Sequence, residues 1–129
     1  MNWLSTAALI GLAGFVGSIC RFAVSGAVTV LAPRGFPTGT LVVNATGCVL
    51  LAFFLTLIRD RVVSDALRLA IAVGFVGAYT TFSTFAYEIY ELARSGHSFR
   101  AGLYLILSVA LGLAGVYLGI LLAHRLERS

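Results

Sequence analysis

The sequence predicts an all-α integral membrane protein with four transmembrane helices. Of its 129 residues, 60% are hydrophobic and only 11% are charged, whereas a soluble domain carries roughly 25% charged residues. A membrane span needs about 20 apolar residues, and four such runs occur at about residues 4–31, 40–58, 69–93 and 101–123. Because little sequence remains for loops, we expect residues 1–129 to form a single four-helix transmembrane domain.

The charged residues argue against a nucleic-acid partner. The formal net charge is +4, and every basic side chain other than histidine is an arginine. A basic chain can indicate nucleic-acid binding, but these arginines mostly flank the apolar runs, as interfacial anchors do. We therefore expect the lipid bilayer to surround the protein and no nucleic acid to bind it. Cys20 and Cys48 lie inside apolar runs, where reduced cysteines behave as small hydrophobic residues.

The first run contains a stripe of small residues followed by a positive charge. The stripe is suited to close helix packing and consists of Gly11, Gly14, Gly17 and Cys20. Arg21 comes next, and a charge within a span is costly and marks a functional hypothesis. Arg21 either reaches the interface or backbone carbonyls in a structural role, or supplies positive potential to an anion.

The second run contains one strongly polar side chain, Asn44. It follows a loop at residues 33–39 that is rich in proline and glycine. An unsatisfied amide in lipid would cost several kcal/mol, so Asn44 must face other helices or a pore. A hydrogen bond between helices and a role in ion binding both remain open.

The third run is interrupted at its centre by glycines and hydroxyl residues. This stretch reads Gly74-Phe-Val-Gly77-Ala-Tyr-Thr80-Thr81-Phe82-Ser83-Thr84-Phe85. Non-helical backbone at membrane depth survives only where protein or water covers it. The stretch therefore predicts a helix broken at mid-membrane and an ion or substrate site. Carbonyls at residues 77–80 suit a hard cation, while the positive ring edges of Phe82 and Phe85 suit an anion, unless both rings only pack.

Capping and charged residues mark the ends of the third run. Ser64 or Asp65 is placed to cap its start. Near its end, Glu91 and Arg94 have the spacing of a surface ion pair, and Glu88 lies one turn deeper.

The fourth run carries two patterns on helical spacing. Tyr104, Ser108 and Gly112 share one face, so that the two hydroxyls either line a polar track or bond back to helix carbonyls. Gly115 and Gly119 form a GxxxG pair, which predicts close contact with another helix.

The arginines give only a weak orientation signal. With four spans, one side of the membrane holds five and the other three. The first set is Arg59, Arg61, Arg68, Arg125 and Arg128, and the second is Arg34, Arg94 and Arg100. Such a chain can insert both ways, which permits an antiparallel dimer with a site built from two inverted copies. The sequence lacks a nucleophile elbow, a phosphate-binding loop, zinc-ligand pairs and paired catalytic carboxylates, so we expect no enzyme activity.

Three motifs in separate helices resemble the Fluc (CrcB) family of fluoride-specific ion channels of microorganisms. They are Gly14-Phe-Val-Gly17-Ser-Ile-Cys-Arg21-Phe22, Gly39-Thr-Leu-Val-Val-Asn44-Ala-Thr-Gly47 and the interrupted third-run stretch. The resemblance covers essentially the whole chain. Small residues depart from the family pattern at Ala13, Ala78 and Cys48, and Gly112 lacks a hydroxyl that would lengthen the polar track.

The resemblance implies passive fluoride export through a dual-topology, antiparallel homodimer with two pores in the bacterial plasma (inner) membrane. It implies that Phe82 and Phe85 line the pores, with Asn44 and Ser83 binding fluoride. By the same resemblance, a hydrogen-bonding track contains Tyr104 and Ser108, Glu88 lies close to the pore, and Arg21 supplies positive potential at its entrance. A structural sodium ion is implied at the dimer centre, bound by backbone oxygens of Gly77 and Thr80.

Two other functions fit parts of the sequence. A small proton-coupled multidrug exporter shares the four spans and the dual topology, but it would need a glutamate in the first helix, which has none. A structural membrane subunit would explain Gly115 and Gly119 but not the interrupted third run.

Overall fold

The computed structural model describes residues 2–32, 35–59 and 61–128. Pro33 and Arg34, which belong to the predicted loop and the arginine count, lie outside the described residues. The regular structure within these ranges is entirely helical. Its elements are α1 (Trp3–Leu31), α2 (Thr38–Leu57), α3 (Asp65–Leu69), a π-helical segment (Ala70–Val76), α4 (Gly77–Tyr79), α5 (Phe82–Arg94) and α6 (Ser98–Glu127).

Four helical stretches are long and apolar enough to cross a membrane. They are α1, α2, α6 and the stretch Asp65–Arg94, which runs from α3 through α5. The prediction of an all-α protein with four such helices is therefore confirmed. The third stretch begins earlier than its apolar run because Ser64 caps α3, its Oγ accepting the Leu67 N–H at 3.3 Å.

Helices α2 and α6 pack closely and in parallel through the glycines of α6. A Cβ atom added at Gly115 would lie 2.9 Å from the Ala45 carbonyl oxygen. One at Gly119 would meet the backbone of Val49, one turn further along α2. The close contact predicted from the GxxxG pair is confirmed, and it brings the start of α6 beside the start of α2.

Helix α1 packs against the π-helical segment with almost no space between the two backbones. A Cβ at Gly17 would collide with the Phe75 carbonyl oxygen, and one at Gly74 would lie 2.7 Å from the Ile10 carbonyl oxygen. Gly14 also faces this segment, whereas a Cβ at Gly11 would meet nothing within 4 Å. Within the single chain, the predicted packing stripe thus includes Gly14 and Gly17 but not Gly11.

Two extended residues separate α4 from α5. Thr80 has φ −82° and ψ 159°, and Thr81 has φ −150° and ψ 107°. The Thr81 side chain caps α5, because its Oγ1 accepts the Thr84 N–H at 3.3 Å. The functional side chains described next surround this interruption.

Candidate functional site: the helix interruption and its cavities

Asn44 binds the backbone of the interruption from the neighbouring helix α2. Its Oδ1 accepts the Thr81 N–H at 2.8 Å, and its Nδ2 donates to the Thr81 carbonyl at 3.1 Å. Extended backbone has no helical partners, and an unpaired buried polar group is costly. The hydrogen bond between helices, one of the two roles left open for Asn44, is therefore present. An amide nitrogen has two N–H groups, so a second donor remains for another acceptor.

Glu88 receives two hydrogen bonds from side chains on two other helices. Thr40 Oγ1 donates to one carboxylate oxygen at 2.8 Å, and Tyr104 Oη donates to the other at 2.7 Å. Tyr104 is fully buried and Thr40 nearly so. Both carboxylate oxygens are therefore held in place, and α2, α5 and α6 are joined through one charged group.

Aromatic rings form a continuous row beside Glu88. The Phe82 and Phe85 ring centroids are 5.8 Å apart, and the Phe85 ring meets the Tyr104 ring edge-on at 5.2 Å. Tyr104 also meets Phe36 edge-on at 5.5 Å. Phe85 is only 8% exposed, whereas Phe82 is 79% exposed in the single chain. Phe85 is thus packed in the protein interior, whereas the Phe82 ring lies on the surface of the single chain.

A cavity of about 480 Å³, the Arg21 cavity, opens between α1, α2 and the start of α5. Its wall combines one cation with hydroxyl groups and some apolar surface. The lining residues are Ser18, Arg21, Phe22, Ser25, Gly26, Thr29, Thr40, Val43, Thr81 and Thr84. In the described part of the chain, the Arg21 side chain makes neither a hydrogen bond nor an ion pair, so it does not bind backbone carbonyls there. Its unpaired charge favours an anion in the cavity.

Two smaller pockets adjoin the same residues. The Asn44 pocket, about 240 Å³, contains Phe82 beside Asn44 and Thr80. The Glu88 pocket, about 360 Å³, is lined by Gly35, Phe36, Pro37, Glu88, Glu91, Leu92 and Ser95. Thr40 lines the Arg21 cavity and donates to Glu88, so this hydrogen bond separates the Arg21 cavity from the Glu88 pocket.

Two predicted site residues stand apart from these contacts. Ser83 is exposed, and its Oγ lies 3.5 Å from Thr81 Oγ1. Ser108 Oγ is buried, and within the described residues it has no hydrogen-bond partner. The structure therefore does not join Ser108 to Tyr104 through a direct hydrogen bond, and Ser108 is not bonded back to its own helix.

The predicted cation donors lie at the two ends of α4, Gly77 as its first residue and Thr80 directly after its last. Among the described residues, no hydrogen bond uses the Thr80 carbonyl oxygen. No three His, Cys, Asp or Glu side chains in the described ranges come together as metal ligands. The free carbonyl suits a hard cation, which prefers oxygen donors, but one chain supplies only part of such a shell.

Sequence reasoning missed three residues that the structure brings into the site. Thr40 lies one turn before Asn44, so a shared helix face was the available signal. Thr81 was noted only as a hydroxyl residue, although its backbone is the partner of Asn44. Phe36 lies in a loop, where spacing carries no signal.

Comparisons with known proteins match nearly the whole chain. The sequence profile of the family described as CrcB-like protein, Camphor Resistance (CrcB), matches residues 8–120. The "Fluoride-specific ion channel FluC" of Geobacter sulfurreducens is 41% identical and covers 95% of this chain and 100% of its own length. Relatives of the same name from Chlorobium phaeobacteroides and Solibacter usitatus are each 44% identical. Those matches cover 89% and 91% of this chain, and 90% and 97% of the relatives.

Proposed function

Because the chain belongs to the CrcB-like protein family, we propose that it is a fluoride-selective ion channel. It is a multi-pass membrane protein of the bacterial plasma membrane and not an enzyme. The observation that carries the proposal is the unpaired Arg21 in a hydroxyl-lined cavity that reaches Thr81 at the helix interruption. Positive potential and hydroxyl donors at one place favour a small, strongly hydrated anion.

The channel exports fluoride passively and so relieves fluoride toxicity. Hydrofluoric acid is weak, so its neutral form crosses lipid and ionises inside the cell. An interior-negative potential then drives the anion outward with about 2.3 kcal/mol per 100 mV. No ATP hydrolysis or proton coupling is needed.

In this proposal the third span is broken at mid-membrane, and each pore passes along the broken region. The edges of Phe82 and Phe85 face the ion, because ring edges carry positive partial charge. The second N–H of Asn44 and the exposed hydroxyl of Ser83 donate to fluoride. Arg21 attracts the anion at the wide entrance, the Arg21 cavity.

The remaining candidate residues lie along or close to each pore. The Ser108 hydroxyl is buried without a partner, so it is available to a passing anion. Tyr104 donates to Glu88 in the single chain and belongs to the same polar track. Glu88 lies close to the pore, with its charge offset by the donors Thr40 and Tyr104.

The functional unit is an antiparallel homodimer of dual topology with two pores. Its support is the weak arginine bias and the exposed Phe82, which can line a pore only if a second subunit covers that surface. Ser98 is exposed at the start of α6, so Ser98→Cys introduces a reactive thiol there. In cells, an impermeant maleimide should label about half of the Ser98→Cys sites from outside, as two equally populated orientations require. Labelling of all or none of the sites would exclude dual topology.

A structural sodium ion completes the dimer centre, bound by the backbone oxygens of Gly77 and Thr80 from both subunits. Exchanging sodium for N-methylglucamine during purification should lower both the thermal stability of the dimer and its fluoride flux. Equal stability and flux without sodium would remove the ion from the proposal.

Fluoride efflux from loaded liposomes tests the central proposal. With a potassium ionophore to balance charge, vesicles containing the protein should release fluoride and retain chloride. Efflux that requires a pH gradient would favour a proton-coupled exporter. Absence of flux would favour a structural membrane subunit.

A further inference from the structure

The loop segment 35–37 directly precedes α2 and contains Phe36. Gly35 has φ +89°, which a side chain would disfavour, and Arg100 Nη1 donates to its carbonyl at 3.3 Å. The Thr38 N–H donates to the Phe36 carbonyl at 2.9 Å, and Pro37 has φ −81° and ψ 61°. These values describe an inverse γ-turn. These contacts and dihedral angles constrain the backbone that carries the Phe36 ring.

That ring contacts Tyr104, which also contacts Phe85. The Phe36 and Tyr104 planes meet at 79°, and those of Phe85 and Tyr104 at 66°. Tyr104 therefore has two edge-on aromatic contacts, one from the loop and one from α5. The phenolic O–H bond prefers to lie in the ring plane, so the direction in which Tyr104 donates to Glu88 depends on the orientation of its ring.

Phe36 also lines the Glu88 pocket. The ring therefore stands between that pocket and the buried Tyr104. A smaller or more flexible side chain would leave room for Tyr104 to tilt out of the edge-on arrangement. It would also admit water beside the Tyr104–Glu88 hydrogen bond.

We propose that Phe36 is a positioning residue for ion conduction, which fixes Tyr104 so that its hydroxyl stays on Glu88. This inference rests on the proposed fluoride conduction. Phe36 need not touch the ion, since it acts through Tyr104. The rate of fluoride passage thus depends on a loop residue outside the four membrane-spanning stretches.

The test replaces the Phe36 ring with an apolar side chain that has no ring. Phe36→Leu should slow fluoride efflux per dimer by roughly two- to tenfold, the range that an edge-on aromatic pair is worth. Phe36→Tyr, which keeps the ring, should restore flux to within about twofold of wild type. If Phe36→Leu does not form dimers, Phe36→Met removes the ring with a more adaptable side chain and is expected to give the same loss.

A double-mutant comparison separates positioning from general packing. In a Tyr104→Phe background the hydroxyl bond to Glu88 is already lost, so Phe36→Leu should add less than about a twofold effect. Phe99→Leu is the matched control, because Phe99 is 82% exposed at the same end of α6, and its flux should equal wild type. Equal slowing by Phe36→Leu in both backgrounds, wild-type flux in Phe36→Leu, or failure of Phe36→Tyr to rescue would overturn the inference. A wild-type protein without fluoride flux would instead refute the proposed function itself.

Discussion

The side-chain amide of Asn44 forms two hydrogen bonds with the backbone of Thr81, at 2.8 and 3.1 Å. It replaces both partners that a continuous helix would have supplied at that position. A single side chain on α2 thereby stabilises the extended segment between α4 and α5. Asn44 has a structural role even if its second N–H also contacts an ion.

Asn44→Ala should therefore destabilise the fold as well as reduce fluoride flux. The substitution leaves a buried N–H and a buried carbonyl without partners, and we expect a loss of about 2–4 kcal/mol in the free energy of unfolding. Titration with sodium dodecyl sulfate in mixed micelles would measure it. The control is Asn2→Ala, which removes an exposed cap of α1 and should cost about 1 kcal/mol. Unchanged stability of Asn44→Ala would mean that the two bonds contribute nothing.

Glu88 and Glu91 lie one turn apart on α5, and replacing each with alanine should change the free energy of unfolding by different amounts. Glu88→Ala leaves the fully buried Tyr104 hydroxyl without its acceptor, which should cost about 1–3 kcal/mol of unfolding free energy. Glu91 pairs with Arg94 at 3.0 Å on the surface, the contact predicted from their spacing. Since exposed ion pairs contribute little, Glu91→Ala should unfold like wild type. Similar losses in the two variants would contradict the assigned role of Glu88.

Substitutions of Phe82 and Phe85 should both slow fluoride efflux but should differ in their effect on stability. Phe82→Ile keeps an apolar side chain for the partner subunit to cover, so the dimer should remain stable while fluoride efflux slows roughly two- to tenfold. Phe85→Ile removes a buried ring that contacts Tyr104, and it should slow efflux and also lose about 1–3 kcal/mol of stability. Both variants should remain folded dimers by gel filtration. Normal efflux in both would exclude the ring edges as part of the pore.

Gly17→Ala tests the contact between α1 and the π-helical segment. The added Cβ would collide with the Phe75 carbonyl oxygen, and such overpacking costs about 1–3 kcal/mol. Gly11→Ala is the matched control on the same helix, because its Cβ would enter open space in the single chain. There the better helix propensity of alanine predicts no loss, and a gain of up to about 1 kcal/mol. Thermal unfolding of the two variants measures the difference.

The four helices could be predicted because apolar runs of membrane length leave few alternatives. The contact of Gly115 and Gly119 with α2 was predictable for a related reason, since closely packed membrane helices favour small residues. The partners of the polar side chains were not. Asn44 had to bond something, but spacing along one helix cannot identify Thr81, which is 37 residues away.

Other features depend on the neighbouring helix and leave no local pattern. The π-helical segment is in close backbone contact with α1, whereas periodicity predicts only a helix there. Gly11 belongs to the same three-residue rhythm as Gly14 and Gly17, yet in the single chain nothing packs on it. Thr40 belongs to the site through the Arg21 cavity and through Glu88, which lies on another helix.

The interruption at Thr80 and Thr81 has one further electrostatic consequence. The helical run that starts at Asp65 ends at Tyr79 with the negative end of its dipole, and α5 starts at Phe82 with the positive end of another. Two oppositely polarised helix ends thus meet across two extended residues. Partial negative charge beside Thr80 favours a cation, and partial positive charge beside Ser83 favours an anion, before any ionised side chain is counted.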